Sequence, residues 1–325
     1  MRQQLLEVLR DTDRVLVMDG GQGTELENRG MNISGPIWST VPFTKEEFWN
    51  FDQPYTDRDV VNSMFKAYVD AGAQLLSTVT YQTSYKTICA HTDIHTRTQY
   101  DQLLDRIVGF CRRCIGDDHY LVGSIGPYAA HVGAEYTGDY GPKPEEIDYW
   151  QYFEPQVANF NRNETIDIIG LETVPNVHEL KSILSWDETK ISKPFYVSLC
   201  VGDDGNLRDG TPLEQLVPLF ANRSNKNLLL VGINCCSLSV SSQALSHLNE
   251  ILASTPMGLL VYPNSGEIYD HKTQTWSRPT GLDSHRLSWP SLVQEYRKFG
   301  ARAIGGCCRT TPLDIQEICK VVDRN

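Results

Sequence analysis

Eight short apolar runs, each of four to six residues, are distributed along the chain. They occupy residues 15–18, 73–78, 120–124, 166–171, 195–200, 228–233, 258–262 and 301–304. Most are separated by longer segments, such as 60–69 and 103–111, where apolar residues recur every three or four positions, as in half-buried helices. Continuous apolar strands that alternate with helices indicate parallel strands covered by helices. The pattern predicts an α/β fold, a (β/α)8 barrel of the TIM type, with residues 1–325 in one domain.

An open doubly wound sheet is the rival architecture, and the turn after the first apolar run is unfavourable to it. That turn reads Gly-Gly-Gln-Gly at residues 20–23 and lacks the third glycine, at the required offset, of a dinucleotide-binding turn. A chain of 325 residues is long for one domain, but barrels of this kind reach that size.

Charge and hydropathy exclude several classes of partner. The net charge of −12 is unfavourable for binding to nucleic acid or to an anionic membrane. No apolar run approaches the roughly 18 residues of a membrane span, and the first residues lack a secretory apolar region. Nine cysteines without a secretion signal predict a cytoplasmic protein with reduced thiols.

Cysteines follow two of the predicted strands. Cys307 and Cys308 come directly after the last apolar run and two glycines, and Cys235 follows the sixth run. Side chains alternate along a strand, so adjacent cysteines converge on one point only where the strand has ended. Three thiolates with one open position are the ligand set of a catalytic zinc.

Cysteine spacing alone leaves other interpretations open. Cys235 and Cys307 are 72 positions apart (307 minus 235), which matches no compact zinc finger. Buried free cysteines are common as small apolar residues, and Cys307 and Cys308 could instead form a vicinal disulfide.

Polar residues elsewhere share the position of the cysteines at strand ends. Since the carboxyl ends of barrel strands form one rim, we expect all of these groups at the same mouth of the barrel. They are Asp19, Gly20 and Gly21 after the first strand, Glu172 at the fourth, Cys235 at the sixth, Asn264 at the seventh, and Cys307 with Cys308 at the eighth.

Two of these stretches resemble the zinc-binding signature of the homocysteine S-methyltransferase family. They are Gly-Ile-Asn-Cys at 232–235 and Gly-Gly-Cys-Cys-Arg-Thr at 305–310. The likeness extends over nearly the whole chain, through residues 18–26, 126–128, 136–140, 171–173 and 262–267. It is greatest to the branch that uses S-methylmethionine or S-adenosylmethionine, found in fungi, plants and bacteria.

The resemblance implies a zinc ion on Cys235, Cys307 and Cys308 that binds the thiol of L-homocysteine in its fourth position. A free thiol, with a pKa of about 8.5, is mostly protonated at neutral pH, whereas the thiolate is the nucleophile. A methyl group would pass from the donor sulfonium to this sulfur and form methionine. No catalytic residue beyond the activated substrate thiolate is expected.

The same resemblance assigns residues to the ends of homocysteine. The amides of Gly20 and Gly21 would receive its carboxylate as a backbone nest, Glu172 its ammonium, and Asp19 would help to hold the site. The alternative for Glu172 is a solvated carboxylate or a charge at a helix N-terminus. Asn234 and Asn264 are expected to support the cysteine turns.

Aromatic residues in two long inserts, 30–54 and 129–144, are candidates for the sulfonium pocket. Trp38, Tyr136 and Tyr140 could each present a ring face to the cation, a contact of roughly 0.5–2 kcal/mol. Most other aromatics of these inserts are expected only to pack the loops down.

Other functions stay open on the sequence. The donor could be betaine, a methylated cobalamin or a folate. The barrel could bind zinc or sulfur amino acids without catalysis, or be a hydrolase or lyase with structural thiols. Cys111 and Cys114 have redox spacing but lie in a helical pattern, which predicts structural cysteines, and Cys236 is either a spare thiol or a substitute ligand.

Overall fold

Eight parallel strands form the barrel that the apolar runs predict. A computed structural model of the protein describes residues 2–270, 275–277 and 288–323. The barrel strands are β1 (Leu16–Val17), β2 (Leu75–Ser77), β3 (Tyr120–Ile125), β4 (Ile168–Val174), β5 (Phe195–Cys200), β6 (Leu228–Asn234), β7 (Gly258–Tyr262) and β10 (Ala301–Ile304). They are ordered β1-β10-β7-β6-β5-β4-β3-β2, all pairs parallel. A parallel bridge between Met18 and Leu75 joins the two ends of the sheet.

Most helices cover the outside of the barrel, whereas the N-terminal helix contributes Leu5 and Val8 to the apolar cluster inside it. The α-helices are α1 (Leu5–Arg10), α2 (Gln22–Asn28), α3 (Thr56–Asp70), α4 (Tyr85–His91), α5 (Arg97–Ile115), α6 (Tyr128–Val132), α7 (Tyr149–Arg162), α8 (Val177–Ser185), α9 (Val217–Ala221), α10 (Leu238–Leu252), α11 (Trp289–Lys298) and α12 (Pro312–Val322). Short 3-10 helices occupy Trp38–Thr44, Glu46–Trp49, Pro144–Glu146 and Leu213–Leu216.

Strand alternation divides the apolar side chains between two cores. Leu230 and Leu260 belong to a cluster inside the barrel, whereas their neighbours Val231 and Val261 belong to the cluster between sheet and helices. Both faces of each strand are therefore buried, which is why the runs are apolar throughout rather than alternating.

The inserts after β1 and β3 are packed as the sequence predicts for most of their aromatics. Phe43 and Phe48 are fully buried, and both contact Phe110 on α5. An antiparallel hairpin of β8 (Ile268–Asp270) and β9 (Thr275–Ser277), not predicted from the sequence, lies between β7 and β10 in the chain.

Cys111 and Cys114 are both free thiols on α5, in agreement with the prediction that they are structural. Burial raises the pKa of Cys111 far above its ordinary value and that of Cys114 to about 12, which keeps both thiols protonated and inert. Within the described ranges, no helix has the length and apolar character needed to span a bilayer.

Candidate metal centre and substrate site

Three cysteine sulfurs from two distant stretches meet at the carboxyl end of the barrel. Cys235 directly follows β6, and Cys307 and Cys308 lie in the turn after β10. Their Sγ atoms all lie within 4.8 Å of one another. Cys235 and Cys307 are in disulfide contact, with Cα atoms 5.6 Å apart, while Cys308 is a free thiol. A vicinal disulfide between Cys307 and Cys308 is therefore wrong.

The cysteine turns are held in uncommon backbone conformations. Cys235 has φ 50° and Arg309 has φ 65°, the left-handed region that costs energy for residues other than glycine. Hydrogen bonds to the β7 loop hold the second turn in place: the Cys307 amide donates to the Pro263 carbonyl at 2.8 Å, and the Ser265 amide donates to the Cys308 carbonyl at 3.1 Å. The loops after β6, β7 and β10 are thus fastened around the sulfurs.

A side chain at residue 21 would collide with the cysteine turn. A Cβ atom on Gly21 would lie 2.6 Å from the carbonyl oxygen of Cys307, so only glycine permits this approach. The Gly21 amide already donates to the Thr310 carbonyl at 3.1 Å and to its hydroxyl at 2.9 Å. Only the Gly20 amide, which has no partner among the described residues, remains available for a substrate carboxylate.

Glu172 lies at a bulge in β4. The register of β4 against β5 shifts between Leu171 and Val174, and Thr173 has φ 61°. The Thr173 amide leaves the ladder and donates instead to Ser198 Oγ at 3.2 Å and Asn234 Oδ1 at 3.1 Å. A bulge reorients the neighbouring side chain, and here that side chain is the predicted ammonium ligand.

One oxygen of the Glu172 carboxylate accepts a hydrogen bond, and the other has no hydrogen-bond partner among the described residues. Oε2 accepts a hydrogen bond from the Tyr262 hydroxyl at 3.1 Å, and Oε1 is buried with no hydrogen-bond partner in the described part of the chain. Burial raises the pKa of Glu172 to about 7. A buried acceptor without a donor is costly, so this oxygen is suited to a cationic ligand group. The solvated and helix-terminal alternatives do not fit a side chain that is only 8% exposed at a strand end.

Asp19 is buried beside this site, and its contacts are internal. Its Oδ2 accepts from the Ser77 amide at 3.0 Å and from Gln22 Nε2 at 2.8 Å. Burial, with a smaller contribution from the nearby charge of Glu172, raises the pKa of Asp19 to about 7. These bonds fit the predicted role of helping to hold the site.

Asn234 contacts the cysteines directly. Its Nδ2 donates to the Thr173 hydroxyl at 2.7 Å and lies 3.5 Å from Cys235 Sγ and 4.0 Å from Cys307 Sγ. The backbone amide of Asn264 donates a hydrogen bond of 2.9 Å to the Cys236 carbonyl. The buried side-chain Oδ1 of Asn264 has no partner among the described residues. Both asparagines therefore lie where they can support the cysteine turns.

The three candidate aromatic residues of the donor pocket occupy different environments. Trp38 is 43% exposed and stacks on Tyr81, with ring centroids 6.4 Å apart. Tyr136 hydrogen-bonds to Cys308, and the Arg208 guanidinium carbon lies 5.4 Å from its ring centroid. Trp38 therefore presents an open ring face, whereas Tyr136 lies against a metal-ligand candidate.

Tyr140 is engaged in the loop itself. Its hydroxyl donates to the fully buried carboxylate of Glu179 and accepts from the Ala129 amide at 3.1 Å. Glu179 also accepts from the Tyr128 amide at 2.7 Å. This geometry favours a positioning role for Tyr140 over direct contact with the donor.

Replacing Tyr140 by phenylalanine distinguishes the two roles. We expect the free energy of unfolding to fall by about 1–3 kcal/mol, because a buried Glu179 oxygen would lose its donor. Urea unfolding measures this change, and Tyr149→Phe, which removes a hydroxyl bonded 2.8 Å to the Pro144 carbonyl, is the comparison. A higher Michaelis constant for the donor with unchanged stability would instead establish direct contact.

Several residues around the site were not identified from the sequence. Tyr262 ends β7 and donates a hydrogen bond to Glu172. The Thr173 hydroxyl accepts a hydrogen bond from Asn234 Nδ2, and Tyr81 stacks with Trp38. Thr173 and Tyr262 lie at strand ends, which is a usable signal, but a tyrosine or threonine there is also ordinary barrel packing. Tyr81 lies in the segment after β2 and has no such signal. The tertiary contacts alone separate the two.

The three sulfurs fit a metal ion. Tetrahedral zinc with zinc–sulfur distances of about 2.3 Å holds its sulfurs about 3.8 Å apart. The three sulfurs here lie within 4.8 Å of one another, so they could share one ion once the disulfide contact between Cys235 and Cys307 is reduced to two thiols. The Asn234 amide faces two of them as a donor to thiolate. Among the described residues, the cluster contains three metal-binding side chains and no fourth, which leaves one coordination position for a ligand.

Comparisons with known proteins agree with this geometry. The model of the homocysteine S-methyltransferase family matches residues 16–322. The chain is 53% identical to homocysteine S-methyltransferase 1 of Saccharomyces cerevisiae, over 98% of this chain and 97% of that protein.

Two crystal structures of the homocysteine methyltransferase MmuM from Escherichia coli share the fold. The metallated form has a TM-score of 0.75 at 27% identity and covers 98% of this chain and 99% of its own. The oxidized form has a TM-score of 0.75 at 28% identity, with 97% of each chain covered. The chain described here is therefore a methyltransferase that belongs to the homocysteine S-methyltransferase family.

Proposed function

We propose that this enzyme transfers a methyl group from a sulfonium donor, S-methylmethionine or S-adenosylmethionine, to the thiol of L-homocysteine, with zinc held by Cys235, Cys307 and Cys308. The observation that carries the proposal is the convergence of these sulfurs at one rim with Glu172, whose Oε1 is buried and unpartnered in the described structure. We further propose that residues 1–325 form one homocysteine-binding domain that acts in the cytoplasm.

Zinc, when bound, would lower the pKa of the homocysteine thiol so that the thiolate predominates at neutral pH. The protein thiols would also be deprotonated by the metal charge, since without it burial raises the pKa of Cys308 to about 11. Asn234, which faces two of the sulfurs, would hold their orientation and partly balance their charge.

The chain has a carboxylate acceptor for the ammonium end of homocysteine and a backbone donor for its carboxylate end. Glu172 Oε1 would accept from the α-ammonium, and the Gly20 amide would donate to the carboxylate. Tyr262 holds the Glu172 side chain by its hydrogen bond and so fixes the distance from ammonium to thiol. Orienting the acceptor in this way supplies a large part of the rate in a bimolecular transfer.

The transfer itself needs no general acid. A new carbon–sulfur bond forms between the homocysteine sulfur and the methyl carbon as the bond from methyl to the donor sulfonium breaks. The electron pair of the broken bond stays on the donor sulfur, which becomes a neutral thioether. The thiol proton is released when homocysteine binds, so charge is neutralised in the step and no proton is required at the leaving sulfur.

Binding of homocysteine should weaken as the pH falls below about 7. Because the pKa of Glu172 is raised to about 7, its carboxyl is largely protonated below that pH and has to lose a proton before it can bind an ammonium. We expect the Michaelis constant for homocysteine to rise about tenfold per pH unit below that point.

The pH profile is to be measured in the wild type and in Glu172→Gln. Asp19 has a similarly raised pKa of about 7, so the variant is needed to assign the inflection. An inflection that persists in Glu172→Gln would assign the titration to another group.

The proposal is tested by metal content and product formation in one preparation. Purified protein should contain close to one zinc per chain and form methionine from homocysteine with at least one sulfonium donor, while betaine supplied in parallel supports no transfer. Zinc without transfer from any donor would indicate a binding protein. Transfer that survives complete removal of metal would exclude the proposed role of the cysteines.

A further inference from the structure

A cavity of about 310 Å³ lies between the segments that follow β1, β2 and β3. Its polar and aromatic lining consists of Trp38 after β1, Gln82, Thr87 and His91 after β2, and His131 and Glu135 after β3. The size is that of a small-molecule site, and the lining combines one aromatic ring, Trp38, with several polar side chains. Homocysteine bound at Glu172 would leave this cavity free.

Glu135 is the only acidic side chain among the described residues that line the cavity, and no lysine or arginine lines it. None of the ion pairs between described residues involves the Glu135 carboxylate. Glu135 is half-buried, and this burial raises the pKa of its carboxyl group. A partly buried carboxylate without a cation is costly, and a cationic ligand in the cavity would remove that cost.

The cavity reaches the cysteine site through the residue that follows Glu135. Tyr136 hydrogen-bonds to Cys308, and the negative charge of Glu135 is among the factors that raise the pKa of Cys308 and of Tyr81. Tyr81 in turn stacks with Trp38, which lines the cavity. A small ligand with one end at Glu135 can therefore present its other end toward the sulfurs.

We propose that Glu135 binds the α-ammonium group of the methyl donor, a sulfonium amino acid seated in this cavity with its sulfonium turned toward Cys308. The inference rests on the proposed function and adds the residue that recognises the donor. S-methylmethionine and S-adenosylmethionine carry the same α-amino acid end, so the chemistry is shared by both.

The ammonium is the better partner for Glu135 than the sulfonium. The sulfonium loses its positive charge in the transition state, so a carboxylate against it would stabilise the reactant more than the transition state. The ammonium keeps its charge throughout, and its ion pair with Glu135 costs nothing at the chemical step. Ring faces of Trp38 and Tyr81 supply a weaker and more adaptable environment for the sulfonium.

The test removes the charge from each partner in turn. Glu135→Gln should lower kcat/KM for S-methylmethionine about tenfold or more, chiefly through KM. With the desamino analogue of S-methylmethionine, (dimethylsulfonio)butanoate, the wild type and the variant should differ by less than about twofold. S-adenosylmethionine is measured in parallel, and a loss confined to one sulfonium donor identifies that donor as the occupant.

Two further variants control for structural damage. Glu145→Gln removes an exposed carboxylate from the same loop region and should leave every donor unaffected. Glu135→Asp keeps the charge and should retain more activity with S-methylmethionine than Glu135→Gln. Zinc content and the Michaelis constant for homocysteine should be unchanged in all three variants.

An equal loss with S-methylmethionine and with its desamino analogue would overturn the inference, as would no loss with either sulfonium amino acid. Those results would leave the proposed function intact, because methionine would still form in the wild type. Failure of the wild type to form methionine from any donor would instead contradict the proposed function.

Discussion

Replacing Cys308 by alanine should abolish zinc binding and reduce methionine formation more than about 100-fold, since changes to the partners of metal ligands already cost about 10- to 100-fold. Cys308 supplies one of three sulfurs within 4.8 Å of one another, and two thiolates do not make a zinc site of this kind. Zinc per chain is measured by elemental analysis after dialysis, and activity by methionine formed from homocysteine.

Cys236→Ala is the matched control for this experiment. Cys236 is the buried neighbour of Cys235, its sulfur lies outside the cluster, and burial raises its pKa to about 12. We expect this variant to keep both zinc and activity. Normal zinc and normal turnover in Cys308→Ala would show that the cluster is not the working site, and loss of zinc in Cys236→Ala would make Cys236 a substitute ligand.

Replacing Glu172 by glutamine should raise the Michaelis constant for homocysteine at least about tenfold, which corresponds to a lost charge-assisted hydrogen bond of about 1.5–3 kcal/mol. Glutamine retains an acceptor for the Tyr262 hydroxyl but cannot pair with an ammonium. Zinc content should stay at the wild-type value because Glu172 is not a ligand. Steady-state kinetics with varied homocysteine, together with metal analysis, measure both.

The control for Glu172 is Glu164→Gln. Glu164 is exposed and lies just before β4, at the end of the strand opposite to Glu172. Its replacement should change neither the Michaelis constant for homocysteine nor the zinc content. If Glu172→Gln loses zinc, or binds homocysteine normally, the ammonium role is excluded.

The barrel and its sites differ in how far the sequence predicts them. All eight barrel strands are where the apolar runs predict them, because parallel strands buried on both faces leave a continuous apolar signal. The short hairpin of β8 and β9 has no such signal and was not predicted. The sequence predicts the cysteines and Glu172 as site residues because each lies at or shortly after the carboxyl end of an apolar run.

Hydrogen bonds between residues distant in sequence could not be predicted from the sequence. The Gly21 amide was expected to bind substrate, but the structure uses it to hold Thr310. Tyr140 was expected at the donor, yet its hydroxyl is bonded to Glu179. In each case the hydrogen-bond partner lies in another secondary-structure element. A local sequence pattern therefore does not indicate that the polar group already has a hydrogen-bond partner.

The order of apolar runs and the residues at their ends determined, from the sequence alone, a barrel with cysteines and carboxylates at one rim. The periodicity of apolar residues indicates which positions are buried, and the direction of each strand indicates which of its ends lies at the site. Only the tertiary structure decided which polar atoms stay unpaired, such as Glu172 Oε1, and which side chain faces the adjoining cavity, as Glu135 does. Those properties depend on distances between loops far apart in the chain, and distances of that kind exist only once the barrel has closed.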